Sequence, residues 1–467
     1  MITEIELRKY LLPGGVTLLA ICSALLFIPD PDILIYLIPG VAIFFMSLLS
    51  ATFALYALLI LNCFFIGGTE GLSTLEIVYA FIFVVSVSSV FIQLLLNKRR
   101  QHWPRVFKAL LLFMVWSLIA TTMALINKTD IVKIIRDFSP LANYLLIFVA
   151  YHVFSRGGDR KRFLNFFIFI AFCIVMRDLE YELNKNNMIN SGHILSQMFF
   201  GMAGVGYTQA VVFVASPYYL YVKNKLLRLI LLAIIVTAAL TILLSMTRTY
   251  WIGVLATLLV TIVYFFAINR KKRSHTMRLV GVLSIVVVTI SLIMSVHWPE
   301  IGQGLDYRLM SIKFVTTGEY DYATMARLNE SKAAIDKILE NPLMGQGYGY
   351  ELAFFGKPYM ISESDGAVAS TFLHNNYLYF ILKTGIVGLI FFLSFIFLLS
   401  KEIFHTYQRS DDSFIAYLSL SFVLSIIYFS IISLSTSKFI DSSVSFYLAV
   451  FGGFIISYSS QKRASNK

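Results

Sequence analysis

The chain has 467 residues, of which 58% are hydrophobic, 15% aromatic and only 14% charged; an average soluble domain is about a quarter charged. So little polar surface excludes a water-soluble globule of this length. The net charge of +12 lies mostly in short loops between apolar blocks. It therefore reads as membrane topology and contact with anionic lipid, and not as a nucleic-acid surface, for which no basic groove or aromatic-basic module is present.

The apolar blocks have the length of helices crossing roughly 30 Å of hydrocarbon. No sustained two-residue alternation points to a barrel. The N-terminal MITEIELRKY mixes acids with bases and no small-residue cleavage site follows, so Leu11–Ile28 reads as a retained first span. The predicted spans run over 11–28, 32–48, 50–67, 73–96, 106–126, 138–154, 161–177, 201–222, 226–245, 249–268, 277–296, 372–400, 413–434 and 440–459. The fold expected is an all-α polytopic membrane protein of about fourteen helices. The stretch 32–67 fits one broken helix as well as two short ones. Cys22, Cys63 and Cys173 all fall in apolar spans, with the spacing of neither a metal site nor a disulfide framework.

Charge tests the count. Lys98-Arg99-Arg100, Arg156 with Arg160-Lys161-Arg162, Lys223 with Lys225, and Arg270-Lys271-Lys272-Arg273 all fall on one side, together with Arg8-Lys9 and Lys462-Arg463. The positive-inside rule makes that side cytoplasmic, with both termini on it. The other side receives Pro29–Pro31, 127–137, 178–200, the turn Met246–Thr249, the long segment 297–371 and 435–439. The long segment holds ten acids against six bases and reads as a small folded element. Within it, Met325, Leu328, Ile335, Ile338 and Leu339 share a helical face over Thr324–Glu340, and Asn341-Pro342 stops the helix. No convincing internal repeat is present, which counts against a transporter built from related halves.

Three outward places carry candidate chemistry, since an ionisable group is costly to bury near lipid. In Ser245-Met246-Thr247-Arg248-Thr249-Tyr250-Trp251, Arg248 sits in a tight turn between two spans, either snorkelling beside an aromatic belt or serving a site. In Ser370-Thr371-Phe372-Leu373-His374-Asn375-Asn376-Tyr377-Leu378, His374 opens an apolar helix. A lone histidine there is commonly structural, yet it is also the side chain best suited to take a proton near neutral pH. The third is Arg327 on the loop helix, followed by Asn341-Pro342-Leu343-Met344-Gly345-Gln346-Gly347-Tyr348-Gly349. Those glycines fit a plain turn or an anion cradle of backbone N–H groups; no Lys-Ser/Thr follows to make a P-loop.

Weaker signals are Asp30-Pro31-Asp32, an acidic pair or a Pro-built turn; Glu363 and Asp365 ahead of the histidine; and Lys133 with Arg136, beside Ile131, Ile134 and Ile135 at the interface. No zinc spacing and no G-x-S-x-G elbow occurs.

Taken in order, Thr-Arg in an outer turn, Arg on a loop helix, N-P-L-x-G-x-G, then His374-Asn375-Asn376-Tyr377-Leu378 through Gly385-Ile386-Val387-Gly388 resembles the O-antigen ligase and polymerase superfamily. The likeness spans about 230–400. It divides the chain into N-terminal helices over 1–230, a ligase/polymerase-like region over 231–400 that includes the loop 297–371, and C-terminal helices over 401–467.

The resemblance implies a lipid-dependent (GT-C type) glycosyltransferase of the bacterial inner (plasma) membrane with its site facing the periplasm or exterior. The donor would be a glycan on undecaprenyl diphosphate, and the acceptor a further glycan or lipid A-core. Membrane lipids and a chain-length regulator would be further partners; no metal, cofactor or nucleic acid is implied. Carried over residue by residue, Arg248 and Arg327 match the two arginines taken to hold the diphosphate, and His374 matches the essential histidine. Thr247-Arg248-Thr249 departs from the common Ser-Arg-Gly but keeps the arginine. Arg136, Asn375, Gly345 and Gly347 are further candidates for holding diphosphate or acceptor. The expected reaction is inverting, with the arginines stabilising the departing diphosphate and His374 taking the acceptor's proton. Polymerase is the first expectation and ligase the second. A lipid-linked oligosaccharide flippase and a scaffold protein are the readings from other classes, and the late large loop and missing repeat disfavour the flippase.

Overall fold

A computed structural model describes residues 50–64, 74–96, 104–185, 205–245, 247–264, 322–355 and 367–465. The predicted spans at 11–28, 32–48 and 277–296 lie outside these residues, as do Asp30, Asp32, Glu363 and Asp365.

The described helices, in chain order, are α1 (Ala51–Phe64), α2 (Thr74–Leu96), α3 (Arg105–Ile126), α4 (Ile131–Ala142), α5 (Leu146–Ser155), α6 (Arg160–Lys185), α7 (Val205–Tyr221), α8 (Lys225–Leu244), α9 (Arg248–Val263), α10 (Tyr322–Glu340), α11 (Asn376–Arg409), α12 (Ser413–Ile432) and α13 (Ser442–Ser465). Among the described residues seven helical stretches are long and apolar enough to cross a membrane; Ala51–Phe64 and Arg248–Val263 are apolar but shorter. This is a helical, multi-pass membrane protein. α6 continues eight residues past its predicted end at 177 and carries Arg177, Asp178, Glu180 and Glu182 there. The chain is not helical throughout: Leu352–Phe355 (β1) pairs antiparallel with Ala367–Ser370 (β2) in the loop, Leu352 opposite Ser370.

Lipid offers no partner for backbone groups, so long apolar runs close their hydrogen bonds internally as helices. Polar residues set the ends. Asp130, Asn224, Asn375 and Asp412 each accept from backbone N–H groups of the first turn of α4, α8, α11 and α12, using donors the helix itself leaves open.

Burial separates centre from rim. All nine residues Leu146–Phe154 of α5 are buried, and α5 packs along α13, whose apolar window is 83% buried against 33% for α3 and α8. α5 and α13 therefore form the axis, and α3 and α8 face outward with Leu112, Val115, Leu118, Leu229 and Ile230 exposed. The axis is tight because Gly453 is small: a Cβ there would stand 2.5 Å from the Ile147 carbonyl oxygen and 2.9 Å from Ala150 Cβ. Close approach over small residues is how helices associate without a hydrophobic drive. Phe154, Phe163 and Phe454 fill the adjoining layer, with the Phe154 ring 4.8 Å from Phe454 and 5.0 Å from Phe163.

α11 is broken at Gly385, whose φ of 68° and ψ of 179° are not helical. The break frees the carbonyls of Leu382, Lys383 and Thr384, which take hydrogen bonds from Gln346 N (2.7 Å), Gly347 N (3.0 Å) and Trp116 Nε1 (2.8 Å). In return Ile386 N donates to Pro342 O at 2.9 Å. Irregular backbone among spanning helices survives only when protein satisfies it. The segment 341–349 does that for α11.

Candidate active site

The turn between α12 and α13, residues 433–441, touches two of the predicted elements. On one side Ser435 Oγ lies 2.5 Å from Thr249 Oγ1, next to Arg248 in the first turn of α9. Lys438 Nζ stands 5.4 Å from the centre of the Tyr250 ring, two residues from Arg248. On the other side Ser433 O accepts from Asn376 N at 2.9 Å, and the Ser437 hydroxyl donates to Leu373 O, next to His374. α9 and α11, which start more than a hundred residues apart, thus share this turn, whose contacts fall within two residues of Arg248 and of His374.

The turn is held by its own ion pair, Lys438 to Asp441 at 3.0 Å. Burial works against both charges, but each is outweighed. Asp441 and Tyr250 carry the Lys438 ammonium above the usual lysine range. Lys438, with the hydroxyl and N–H of Ser443, holds the Asp441 carboxyl below the usual carboxylate range.

Arg327 comes from α10. Glu330, one turn further along the same helix, is 2% exposed and meets His374 twice. Its carboxylate accepts the His374 backbone N–H at 3.1 Å and lies 3.1 and 3.2 Å from Nδ1 through its two oxygens. The histidine side chain remains 44% exposed. Phe372 packs edge-on against it at 5.5 Å. Residues three apart on a helix share a face, so the contact that holds His374 also brings Arg327 to its side of the loop. Glu330 has no motif in the sequence; its only signal is the i+3 spacing from Arg327.

Three further candidates have local tasks. Asn375 caps α11, its Oδ1 accepting from Tyr377 N at 3.0 Å and Leu378 N at 3.1 Å. Gly345 N donates to Asn341 O at 2.9 Å and Gly347 N to Lys383 O. Those N–H groups are thus engaged by carbonyls, and the glycines serve positive φ and close approach: a Cβ on Gly345 would meet the Gly385 backbone at 2.6 Å, and one on Gly347 would meet Ala124 Cβ at 2.8 Å. The third glycine, Gly349, donates to Asp137 Oδ2 at 2.7 Å. Arg136 is half-buried on α4, beside Asp137; its neighbour Lys133 pairs with Glu351 of the loop at 2.7 Å. Among the described residues no three His, Cys, Asp or Glu side chains group as a metal site.

The assembly is a half-exposed histidine backed by a buried carboxylate, with Arg327 one turn before that carboxylate on α10 and Arg248 in the first turn of α9. Residues 232–393 match the family model described as O-Antigen ligase. The match begins in α8, contains Arg248, Arg327, Glu330 and His374, and ends within α11. It covers roughly a third of the chain and leaves out α4 and the turn 433–441. No curated protein matches the chain.

Proposed function

We propose that the protein transfers glycan repeat units from undecaprenyl diphosphate to a growing glycan at the outer face of the bacterial inner membrane, as a repeat-unit polymerase. It does so as a lipid-dependent glycosyltransferase of the GT-C type with about fourteen spans and both termini in the cytoplasm. The observation that supports this reading is the shared turn: Thr249 and Asn376, neighbours in sequence of Arg248 and His374, both hydrogen-bond to 433–435.

The chemistry follows from the groups. The acceptor hydroxyl oxygen attacks the anomeric carbon as the C1–O bond to the diphosphate breaks, inverting the centre. The hydroxyl proton passes to His374. The electron pair leaves with undecaprenyl diphosphate, whose rising negative charge Arg248 and Arg327 stabilise through planar, two-point hydrogen bonds. No step calls for a metal. The polyprenyl tail stays in lipid beside the spans, and α10 with the β-hairpin covers the sugar.

A second reading is favoured by the matched family's own description, O-Antigen ligase: the same donor chemistry, with lipid A-core as acceptor. The assay is transfer in vesicles supplied with lipid-linked donor and either acceptor. General acid–base catalysis contributes about 10²–10⁴-fold, so His374→Ala is expected to lose at least that. Near-normal transfer by both His374→Ala and Arg248→Lys would sink the mechanism, and the acceptor that is consumed separates polymerase from ligase.

A further inference from the structure

Glu330 has more hydrogen-bonding capacity at His374 than is needed to pin a loop. One oxygen already accepts the His374 backbone N–H at 3.1 Å, and both face Nδ1 at 3.1 and 3.2 Å. A carboxylate only accepts, so Nδ1 then carries the hydrogen and Nε2 keeps its lone pair. The opposite arrangement, a protonated acid donating to Nδ1, would leave hydrogen on Nε2 and remove the base from the open side of the ring. The contact is also shielded: Glu330 is 2% exposed while His374 is half open, which strengthens the interaction relative to one in water.

We infer that Glu330 is a positioning residue: it selects the Nδ1–H form of His374, so that Nε2 accepts the proton of the attacking hydroxyl, and it docks the Arg327 helix against His374 through the same carboxylate. The inference rests on the glycan-transfer reading for its consequence, but not for its geometry. The proton moves from the acceptor hydroxyl to Nε2. The imidazolium that forms is balanced by the Glu330 carboxylate and passes the proton to water after the diphosphate has left. Because Glu330 lies on the far side of the ring from Nε2, it touches neither sugar nor diphosphate.

The test combines kinetics with a spectroscopic signature on full-length protein in vesicles. Glu330→Gln keeps the size of the side chain, but its amide both donates and accepts and selects neither tautomer. The turnover number is expected to fall about 100-fold, the upper range for carboxylates that orient metal-bound histidines, with the KM for lipid-linked donor unchanged. In a cycle of Glu330→Ala, His374→Ala and the double variant, the double variant should transfer no more slowly than His374→Ala alone. In ¹⁵N-histidine-labelled wild type, with the His374 signal assigned by its loss in His374→Gln, the ring should show a protonated Nδ1 and a bare Nε2; Glu330→Gln should show both tautomers. The inference is overturned by a wild-type ring protonated at Nε2, by a normal turnover number in Glu330→Gln, or by a double variant that loses activity additively. If His374→Ala itself transfers normally, the catalytic reading fails, and the tautomer measurement still decides whether Glu330 sets the ring.

Discussion

Lys383 Nζ lies 2.6 Å from Asp137 Oδ2, with the lysine inaccessible to solvent and the aspartate side chain 8% exposed. The pair ties α11 to α4. Lys383 also donates to Tyr350 O at 2.6 Å, and Asp137 accepts the Gly349 N–H at 2.7 Å. One ion pair therefore clamps the loop segment that fills the break in α11.

Removing one partner should be worse than removing both. Lys383→Met leaves the Asp137 carboxylate buried without its cation, which costs about 3–5 kcal/mol. Replacing both residues with apolar ones of similar volume, as in Asp137→Leu with Lys383→Met, should recover most of that loss. Thermal unfolding of detergent-solubilised protein measures both. Equal melting temperatures for the single and double variants would contradict the clamp.

Gly385 should be among the least replaceable positions. Its φ is 68°, and an added Cβ would collide with the Leu343 carbonyl oxygen. Gly385→Ala therefore meets a strained backbone, about 1 kcal/mol or more, and must also unseat the 341–349 segment. A total loss above about 3 kcal/mol is expected, together with faster protease cleavage between α10 and β1. Gly157→Ala is the control: φ is 91°, but nothing lies within 4 Å of the added Cβ, so only the backbone strain should register.

The turn 433–441 should be stable over a wide pH range and fail at its extremes. The Asp441 carboxyl is held below the usual carboxylate range in the folded protein. Its contribution is present above the unfolded pKa and is lost as pH falls through the lower folded value. Lys438 is raised, so its contribution is complete below the ordinary lysine value and is lost only as pH rises through the higher folded one. Melting temperature against pH for wild type and for Asp441→Asn should therefore differ across the neutral plateau and converge in strong acid. A difference that persists unchanged below the carboxylate range would contradict the assignment.

Under the proposed chemistry, lysine should not replace either arginine. Arg248→Lys and Arg327→Lys keep the charge but lose the planar fork that meets a diphosphate at two points. Removing one stabilising donor from a developing oxyanion typically costs about 10²–10³ in turnover. Each variant should fall in that range in the vesicle assay. A loss confined to donor KM would assign the arginine to ground-state binding alone.

The membrane helices were legible because their signal is local. A run of apolar residues in lipid has one way to satisfy its own backbone, so 106–126 becomes Arg105–Ile126 and 413–434 becomes Ser413–Ile432, whereas 138–154 is split between α4 and α5 by a short 3-10 turn at Asn143–Leu145. The end of 161–177 was misjudged because Arg177 and Asp178 look like a loop, yet the two neutralise one another at 2.9 Å inside α6. The glycines 345, 347 and 349 were visible as a turn, but their purpose was not. Nothing near them in sequence reveals that α11 breaks 36 residues after Gly349 and needs their backbone.

By itself the sequence determined a multi-pass helical membrane protein, the loop helix that ends at Glu340, and a stretch, 232–393, that matches the family model described as O-Antigen ligase. Those follow from composition, period and motif, which are properties of neighbours along the chain. Tertiary structure alone decided that Glu330 stands behind His374, that Lys383 meets Asp137 across 246 positions, and that the turn 433–441 joins α9 to α11. Each is a polar contact between distant segments. Near lipid an unpaired charge or carbonyl is costly, so these groups find partners wherever the fold brings them, and no local pattern records which partner that is.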